Sequence, residues 1–333
     1  MQEIDGAEGG GQIIRTAISL SALSGEPIRI ENVRGNRSTP GLRPQHLAAI
    51  DAAAELCGAS VEGAEQESET LVFEPNEVQA TDVSVDVGTA GSVALVLDTV
   101  LPLAVALDDP ASVTVSGGTD VKWAPPVGYH RHVKLPLLAE AGLEASLSVD
   151  ERGFYPLGGG ETTLSLAPSS LSPLAFEGRG DLRRIEVYST AEAALEDADV
   201  AERQASAAAE NADIDVPMGT ETNYVEADCT GSVVVLAAVY ERSRAGFAAL
   251  GSAGTPSEEV AAEAAAAFQK FHDGPGAVDS HLADQLMVFQ ALAGDAVYAP
   301  ELTSHMETNR TVIEQFGYDI SIEERDDGII IES

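Results

Sequence analysis

From residue 28 onward, short β-branched runs alternate with stretches of helical periodicity, and the same order of elements returns. Residues 28–33 read as a strand and 44–57 as a helix, with Leu47, Ile50, Ala54 and Cys57 on one face. Short strands at 61–62 and 71–73 follow. A second set has a strand at 83–87, a helix at 91–107, a strand at 112–116, a helix at 126–141, and strands near 147 and at 162–166. Near the end come helices at 281–293 and 305–316, then strands at 320–323 and 328–332. The pattern resembles one unit used three times, in the order strand, helix, strand, helix, strand, strand. The expectation is an α/β (α+β) chain of three βαβαββ units.

The third unit is interrupted. Residues 182–276 carry their own strands (184–189, 223–226, 232–240), a helix at 198–211 and a further helix with Thr255 as N-cap, Pro256 first and Glu258 three residues after the cap. Residues 247–254 read as a glycine-rich loop. The division expected is a main domain of 1–181 with 277–333, and a smaller inserted α/β domain of 182–276.

Charge sets the working environment. The chain has 55 acidic residues against 18 basic ones, a net −37, and its only lysines are Lys122, Lys134 and Lys270. Such a surface repels polyanions at low ionic strength, but in about 1 M salt the screening length falls to roughly 3 Å. The acids are spread along the whole length, as expected of a surface adapted to a salty cytoplasm. Cys57 and Cys229 match no disulfide framework or metal spacing. No basic-then-apolar segment opens the sequence, and the most apolar stretch, 93–107, contains Asp98 and Pro102. The reading is a cytoplasmic protein.

Against that background one segment stands out. From Arg29 to His46 there are four arginines and one acid, Glu31. Bidentate guanidinium contacts with phosphate remain useful where long-range steering is screened, so Arg34, Arg37 and Arg43 are candidate phosphate ligands. The alternative is that they balance nearby carboxylates. Earlier, Gly6-Ala7-Glu8-Gly9-Gly10-Gly11-Gln12-Ile13-Ile14-Arg15 places three glycines between a short strand and a helical run, where backbone N–H groups can approach a ligand. Glu8 offers a hard cation its carboxylate. Ser116-Gly117-Gly118-Thr119-Asp120-Val121-Lys122-Trp123 ends a strand at the chain's only tryptophan, either lining a nucleotide site or forming a turn packed under Trp123. In the 281–286 stretch, Leu282, Leu286, Phe289 and Ala293 form a buried stripe and Asp284 points elsewhere. Ser304 and Glu307 read as a capping box, placing His305 first in its helix, where the dipole favours a neutral ring able to act as a nucleophile. His130 and His132, two apart, face opposite ways on a helix.

Taken in order, these segments resemble the RNA 3′-terminal phosphate cyclase family. The resemblance is carried by Glu8-Gly9-Gly10-Gly11-Gln12-Ile13-Ile14-Arg15, Arg37 with Pro40-Gly41-Leu42-Arg43-Pro44-Gln45-His46, Ala90-Gly91-Ser92 and Ser116-Gly117-Gly118-Thr119-Asp120. It continues through Gly153-Phe154-Tyr155-Pro156 with Gly158-Gly159-Gly160, Leu282-Ala283-Asp284-Gln285, and His305 with Thr308-Asn309. It implies conversion of an RNA 3′-phosphate end to a 2′,3′-cyclic phosphate, with ATP consumed through a histidine–AMP intermediate on His305. By matching position, Asp98, His281, Leu282, Ala283, Asp284 and Gln285 would line the ATP site. Arg15, Arg34, Arg37, Arg43 and Gln45 would surround phosphates of RNA or ATP, and Glu8 would contact a divalent metal, Mg or Mn. Three departures stand out: a short loop from Asp5 to Glu8, Asp98 where a glutamine is usual, and His281 where a tyrosine is usual. The rival readings are a cyclase-like ribosome-biogenesis factor without the nucleophilic histidine, an enolpyruvyl transferase on a similar repeated fold, and an acidic binding module.

Overall fold

The computed structural model describes every residue except Thr89. Two four-stranded sheets share one plan. The first contains β1 (Gln2–Asp5), β2 (Ile28–Glu31), β3 (Ser60–Glu62) and β4 (Leu71–Glu74) in the order β1-β2-β4-β3. The second contains β5 (Asp82–Asp86), β6 (Ala111–Gly117), β7 (Ala145–Glu151) and β8 (Gly160–Leu166) in the order β5-β6-β8-β7. In each the first pair is parallel and the rest antiparallel. A parallel pair needs a crossover, and helices supply it. These are α1 (Gly11–Ser24) after β1 and α3 (Val93–Val100) after β5, while α2 (Pro44–Cys57) follows β2.

After β6 come the single turn α4 (Val127–Tyr129), a π-type turn at His130–Lys134 and α5 (Leu135–Glu140), rather than one even helix over 126–141. Pro136 is the cause: it has no N–H, and its ring would strike the carbonyl four residues back, so the ladder widens there. The 91–107 helix is likewise shorter than expected. It ends at Val100 and tightens into a 3₁₀ segment, Leu101–Ala106, around Pro102.

Residues 182–273 build a sheet of β9 (Leu182–Glu192), β10 (Met218–Val225), β11 (Ser232–Tyr240) and β12 (Arg244–Leu250), ordered β10-β9-β11-β12. Helices α6 (Val200–Ala212) and α7 (Ser257–Asp273) cover it, and Val234, Leu236, Phe247, Ala261 and Phe268 form a core of their own. The 247–254 loop was expected to begin too early, because Phe247 pairs with Leu236 within β12. Pro256, extended at φ −57° and ψ 146°, is the residue before α7, so that helix starts one residue later than Thr255 would place it.

The chain then forms α8 (Ser280–Ala293), β13 (Ala296–Ala299), α9 (Ser304–Gln315), β14 (Ser321–Arg325) and β15 (Gly328–Glu332). The sheet order is β13-β15-β14, and Phe176, before β9, bridges in parallel to Val297 of β13. Strand β13 went unread because AVYA is too short to show alternation. The three small sheets, α1, α2, α3, α5, α8 and α9 share one core, to which Cys57 belongs, fully buried. No helix among the described residues is long and apolar enough to cross a membrane.

Candidate active site

Five helix starts converge on two adjoining clefts. The larger, about 760 Å³, is lined by Gly9 and Gly10 before α1, by Gly11 and Arg15 of α1, by Pro44, Gln45 and His46 of α2, by Ser92 before α3, and by Arg34, Arg37, Arg43, Tyr155 and His305. The second, about 490 Å³, takes Asp98, Pro125, Pro126 and Tyr129, with His281, Asp284 and Gln285 of α8. Gln12, Arg15, Leu95, Trp123, Ala124 and His305 border both. Helix N-termini present unpaired N–H groups and the positive end of the dipole, so their convergence gathers anion-attracting ends in a chain that is otherwise acidic.

The glycine run has a steric cause. A Cβ on Gly9, at φ 71°, would lie 2.7 Å from the Thr308 side chain, and one on Gly11 would lie 2.3 Å from His46 Nε2. Only glycine lets α1 start between α9 and α2.

His305 is the second residue of α9. Thr303, extended at φ −111°, is the N-cap and accepts the Met306 N–H at 3.2 Å, so the expected Ser304/Glu307 box is displaced by one residue. The imidazole is 46% exposed, and its Nδ1 stands 3.5 Å from Oδ2 of the buried Asp284. Asp284 therefore does not point away from the chemistry. Its backbone carbonyl accepts from Asn309 Nδ2 at 3.0 Å, and Asn309 Oδ1 accepts from the Thr16 hydroxyl at 2.7 Å. Helices α1, α8 and α9 are thereby locked around the ring.

The arginines are mostly unmet by acids. Arg43 approaches Glu67 at 3.4 Å, and Arg29 pairs with Glu31 away from the cleft. Among the described residues no carboxylate reaches ion-pair distance of Arg15, Arg34 or Arg37. Arg15 donates to Gln12 Oε1, and Arg34, at φ 55°, donates to the carbonyls of Thr39 and Gly41. Burial lowers the Arg15 pKa from its ordinary value, with Asp98 and Asp284 opposing. Burial also lowers that of Arg34, helped by Arg43 and Arg37. Charge balancing by neighbours thus accounts for little of the cluster.

Asp98 is also not a bare negative charge. Its Oδ1 accepts from Lys134 Nζ at 2.6 Å and lies 2.6 Å from His130 Nε2, both partners being almost fully buried. Burial would raise the Asp98 carboxyl, but Lys134 and His130 outweigh it and hold the pKa well below the usual carboxylate range. His132 lies on the other face, stacked on Tyr188 with centroids 3.5 Å apart.

Not every expected residue reaches a cleft. Leu282 and Ala283 are wholly buried in the core, and Glu8 is exposed and lines neither cleft. Among the described residues no cluster of three or more His, Cys, Asp or Glu could cage a metal. A single hard carboxylate fits a hydrated divalent ion held mainly by substrate phosphates, and does not fit a metal caged by protein alone.

Residues that sequence reasoning passed over include His46, whose Nδ1 accepts the Arg43 N–H at 3.0 Å. Burial, then Arg15, Arg34 and Arg43, push its pKa down to about 3, so it stays neutral. Asp279, the N-cap of α8, accepts from Tyr129 Oη at 2.8 Å and from the N–H groups of Gly246 (3.0 Å) and Leu282 (3.0 Å). It ties α4, β12 and α8 together. Its position two residues before the expected helix start at His281 was the available signal.

Comparison with known proteins agrees with this geometry. The family model described as RNA 3′-terminal phosphate cyclase matches residues 6–322. A protein of that name from Halobacterium salinarum is 51% identical, the match covering 99% of each chain. Others from Ralstonia nicotianae and Pyrococcus furiosus are 43% and 42% identical, over 94% of this chain and 91% and 92% of theirs. Among solved structures, the enolpyruvyl transferase NikO from Streptomyces tendae aligns with 99% of this chain and 48% of its own, at 12% identity and a TM-score of 0.37. That likeness is too slight to bear on fold or function.

Proposed function

This chain belongs to the RNA 3′-terminal phosphate cyclase family, an enzyme family of the ligase class, and from that membership and the paired clefts we propose a histidine–AMP mechanism centred on His305. The observation that carries the reading is that His305 borders both clefts. One nucleophile can then face a nucleotide on the α8 side and a phosphorylated RNA end on the arginine side.

In the first step, His305 Nε2 attacks the α-phosphorus of ATP and pyrophosphate leaves. Nε2 is the nitrogen available, because Nδ1 is turned toward Asp284. AMP then passes to an oxygen of the RNA 3′-phosphate, breaking the P–N bond and forming an anhydride. The vicinal 2′-hydroxyl attacks the 3′-phosphorus, loses its proton, and releases AMP with the 2′,3′-cyclic phosphate. Adenylation turns a poor leaving group into a good one, and the covalent intermediate divides one difficult transfer into easier steps. Arg15, at the junction, would follow the phosphoryl group between clefts, while Arg34, Arg37, Arg43 and Gln45 would hold the RNA phosphate. Asp98, His281, Asp284 and Gln285 would border the adenosine. Glu8 would help hold a divalent ion, Mg or Mn, which when bound offsets phosphate charge. The functional division is a main domain of 1–181 with 277–333 and an inserted domain of 182–276, in a cytoplasmic protein.

The test is incubation with α-labelled ATP and Mg or Mn in concentrated KCl. The expected result is acid-labile, alkali-stable label on the protein that is absent from His305→Ala. Equal labelling of both proteins overturns the mechanism.

A further inference from the structure

The exposed large hydrophobic side chains are few, and three of the four lie in two loops beside the arginine cleft. Trp123 is 89% exposed, Leu157 58% and Tyr155 42%, the fourth being Met1. An uncovered indole is unusual for a chain with one tryptophan and 5% aromatic residues. The backbone makes the display costly as well. Trp123 sits at φ 66°, a region that bulky L-residues rarely occupy, and one held at functional sites by the surrounding structure. Its ring is not loose. It meets Tyr155 edge-to-face, centroids 6.1 Å apart at 86°, which steadies the pair while leaving ring surface open. Lys122, one of three lysines, holds its Nζ 5.1 Å from the centre of the Tyr155 ring.

We propose that Trp123 and Tyr155, with Lys122, form a stacking platform for the unpaired bases next to the phosphorylated 3′ end of the RNA. The proposal rests on the cyclase reading and extends it to how the strand is gripped. Tyr155 and Lys122 line the arginine cleft and not the α8-side cleft, while Trp123 borders both, so the platform extends from the junction at His305 into the arginine side. The neighbours favour a nucleic acid over an apolar protein surface. Among the described residues Arg34, Arg37 and Lys122 meet no carboxylate, so flat rings stand beside cations that lack an acidic partner. The solvent supplies a further argument. In molar salt, backbone attraction is screened to within about 3 Å, and counterion release yields little. Base–aromatic stacking is not a long-range charge effect, and each stacked base contributes roughly 1–3 kcal/mol in single-strand binders. A protein of net charge −37 that holds RNA in brine needs such a contact. Stacking also tolerates sequence, because every base has a π-face, so the platform suits diverse RNA ends.

The experiment uses the full chain in concentrated KCl with 3′-phosphorylated oligoribonucleotides carrying 2-aminopurine at the last or penultimate position. Wild type should quench the fluorescence on binding, Trp123→Ala should not, and Trp123→Phe should restore part of the quench. In steady state, Trp123→Ala should raise the KM for RNA about tenfold, the effect of one lost stacked base, with kcat changed less than about twofold. An RNA with an abasic terminal nucleotide should lose as much on wild type and nothing further on the variant. An unchanged RNA KM, or a rise in the KM for ATP in its place, overturns the platform. Protein labelling by ATP without RNA separates the two ideas: if wild type takes no label, the cyclase reading fails, and the quench still decides the platform.

Discussion

The charges on the two sides of His305 are finished in opposite ways. On the α1–α2 side, among the described residues, Arg15, Arg34 and Arg37 have no carboxylate at ion-pair distance in a protein with 55 acidic residues to offer. On the α3 side, Asp98 is gripped by both Lys134 and His130, and the loose ends among the described residues are neutral atoms, His130 Nδ1, Ser92 Oγ and Gln285 Oε1, buried without a partner. Charges left unmet at a cleft are aimed at something that arrives from outside. Charges satisfied within the chain hold the walls in place. The contrast therefore separates residues whose loss should appear in ligand affinity from residues whose loss should appear in stability.

The strongest way to break this contrast is to remove Lys134. Taking one partner from a buried pair leaves the other charge uncompensated, and Lys134→Met should lower unfolding free energy by about 3–5 kcal/mol in denaturant titrations. Asp98→Leu with Lys134→Met should recover most of that, since well-packed apolar replacements of buried pairs are close to neutral. A single variant as stable as wild type would show that the α3 side does not support the fold.

His46 gives a second, pH-dependent separation. Its folded pKa of about 3 lies below the ordinary 6.5, so the unfolded chain takes up a proton that the folded chain refuses. This contribution is fully present above pH 6.5 and is lost as pH falls toward 3. Between pH 6.5 and 4.5 the loss is about 2 kcal/mol for one group. Asn keeps an acceptor for the Arg43 N–H, so the stability of His46→Asn should fall less steeply over that window. Parallel curves for the two proteins would mean that burial and the arginine neighbours do not hold His46 neutral.

Sequence legibility divides along the same contrast. The unmet side is read from local segments: a run with four arginines in an acidic chain, three glycines before a helix, and a histidine one step from a cap. Each lies within a single stretch, so spacing reveals it. The satisfied side is assembled from distant positions. Asp98 is 32 residues from His130 and 36 from Lys134, and the link also depends on the π-type turn beside Pro136, which no periodicity announces. From sequence Asp98 therefore reads only as a residue of the ATP site, standing where a glutamine is usual. The ties from Asp279 to Tyr129, Gly246 and Leu282 join three elements up to 150 residues apart and were hidden for the same reason. Trp123 failed differently. A lone tryptophan beside glycines reads as well under a turn as over one, and only the fold puts it in solvent.

The smallest effect sharpens the contrast most, because it requires a null on one axis. Among the described residues Arg37 has no partner for its guanidinium, which lies against Gly10, where an added Cβ would come within 3.0 Å of Nη2. Removing it breaks no ion pair and relieves crowding with Arg34, so Arg37→Ala should leave unfolding free energy within about 0.5 kcal/mol of wild type. A charge-assisted contact to phosphate is worth about 1.5–3 kcal/mol, and concentrated salt favours the lower end. The variant should therefore bind a 3′-phosphorylated oligonucleotide somewhat over tenfold more weakly in titration calorimetry, while a 3′-hydroxyl oligonucleotide of the same sequence binds both proteins alike. If Arg37→Ala instead lost stability and kept its affinity, the arginine would belong with Lys134 as part of the wall. The two sides of His305 would then differ in sign of charge but not in purpose.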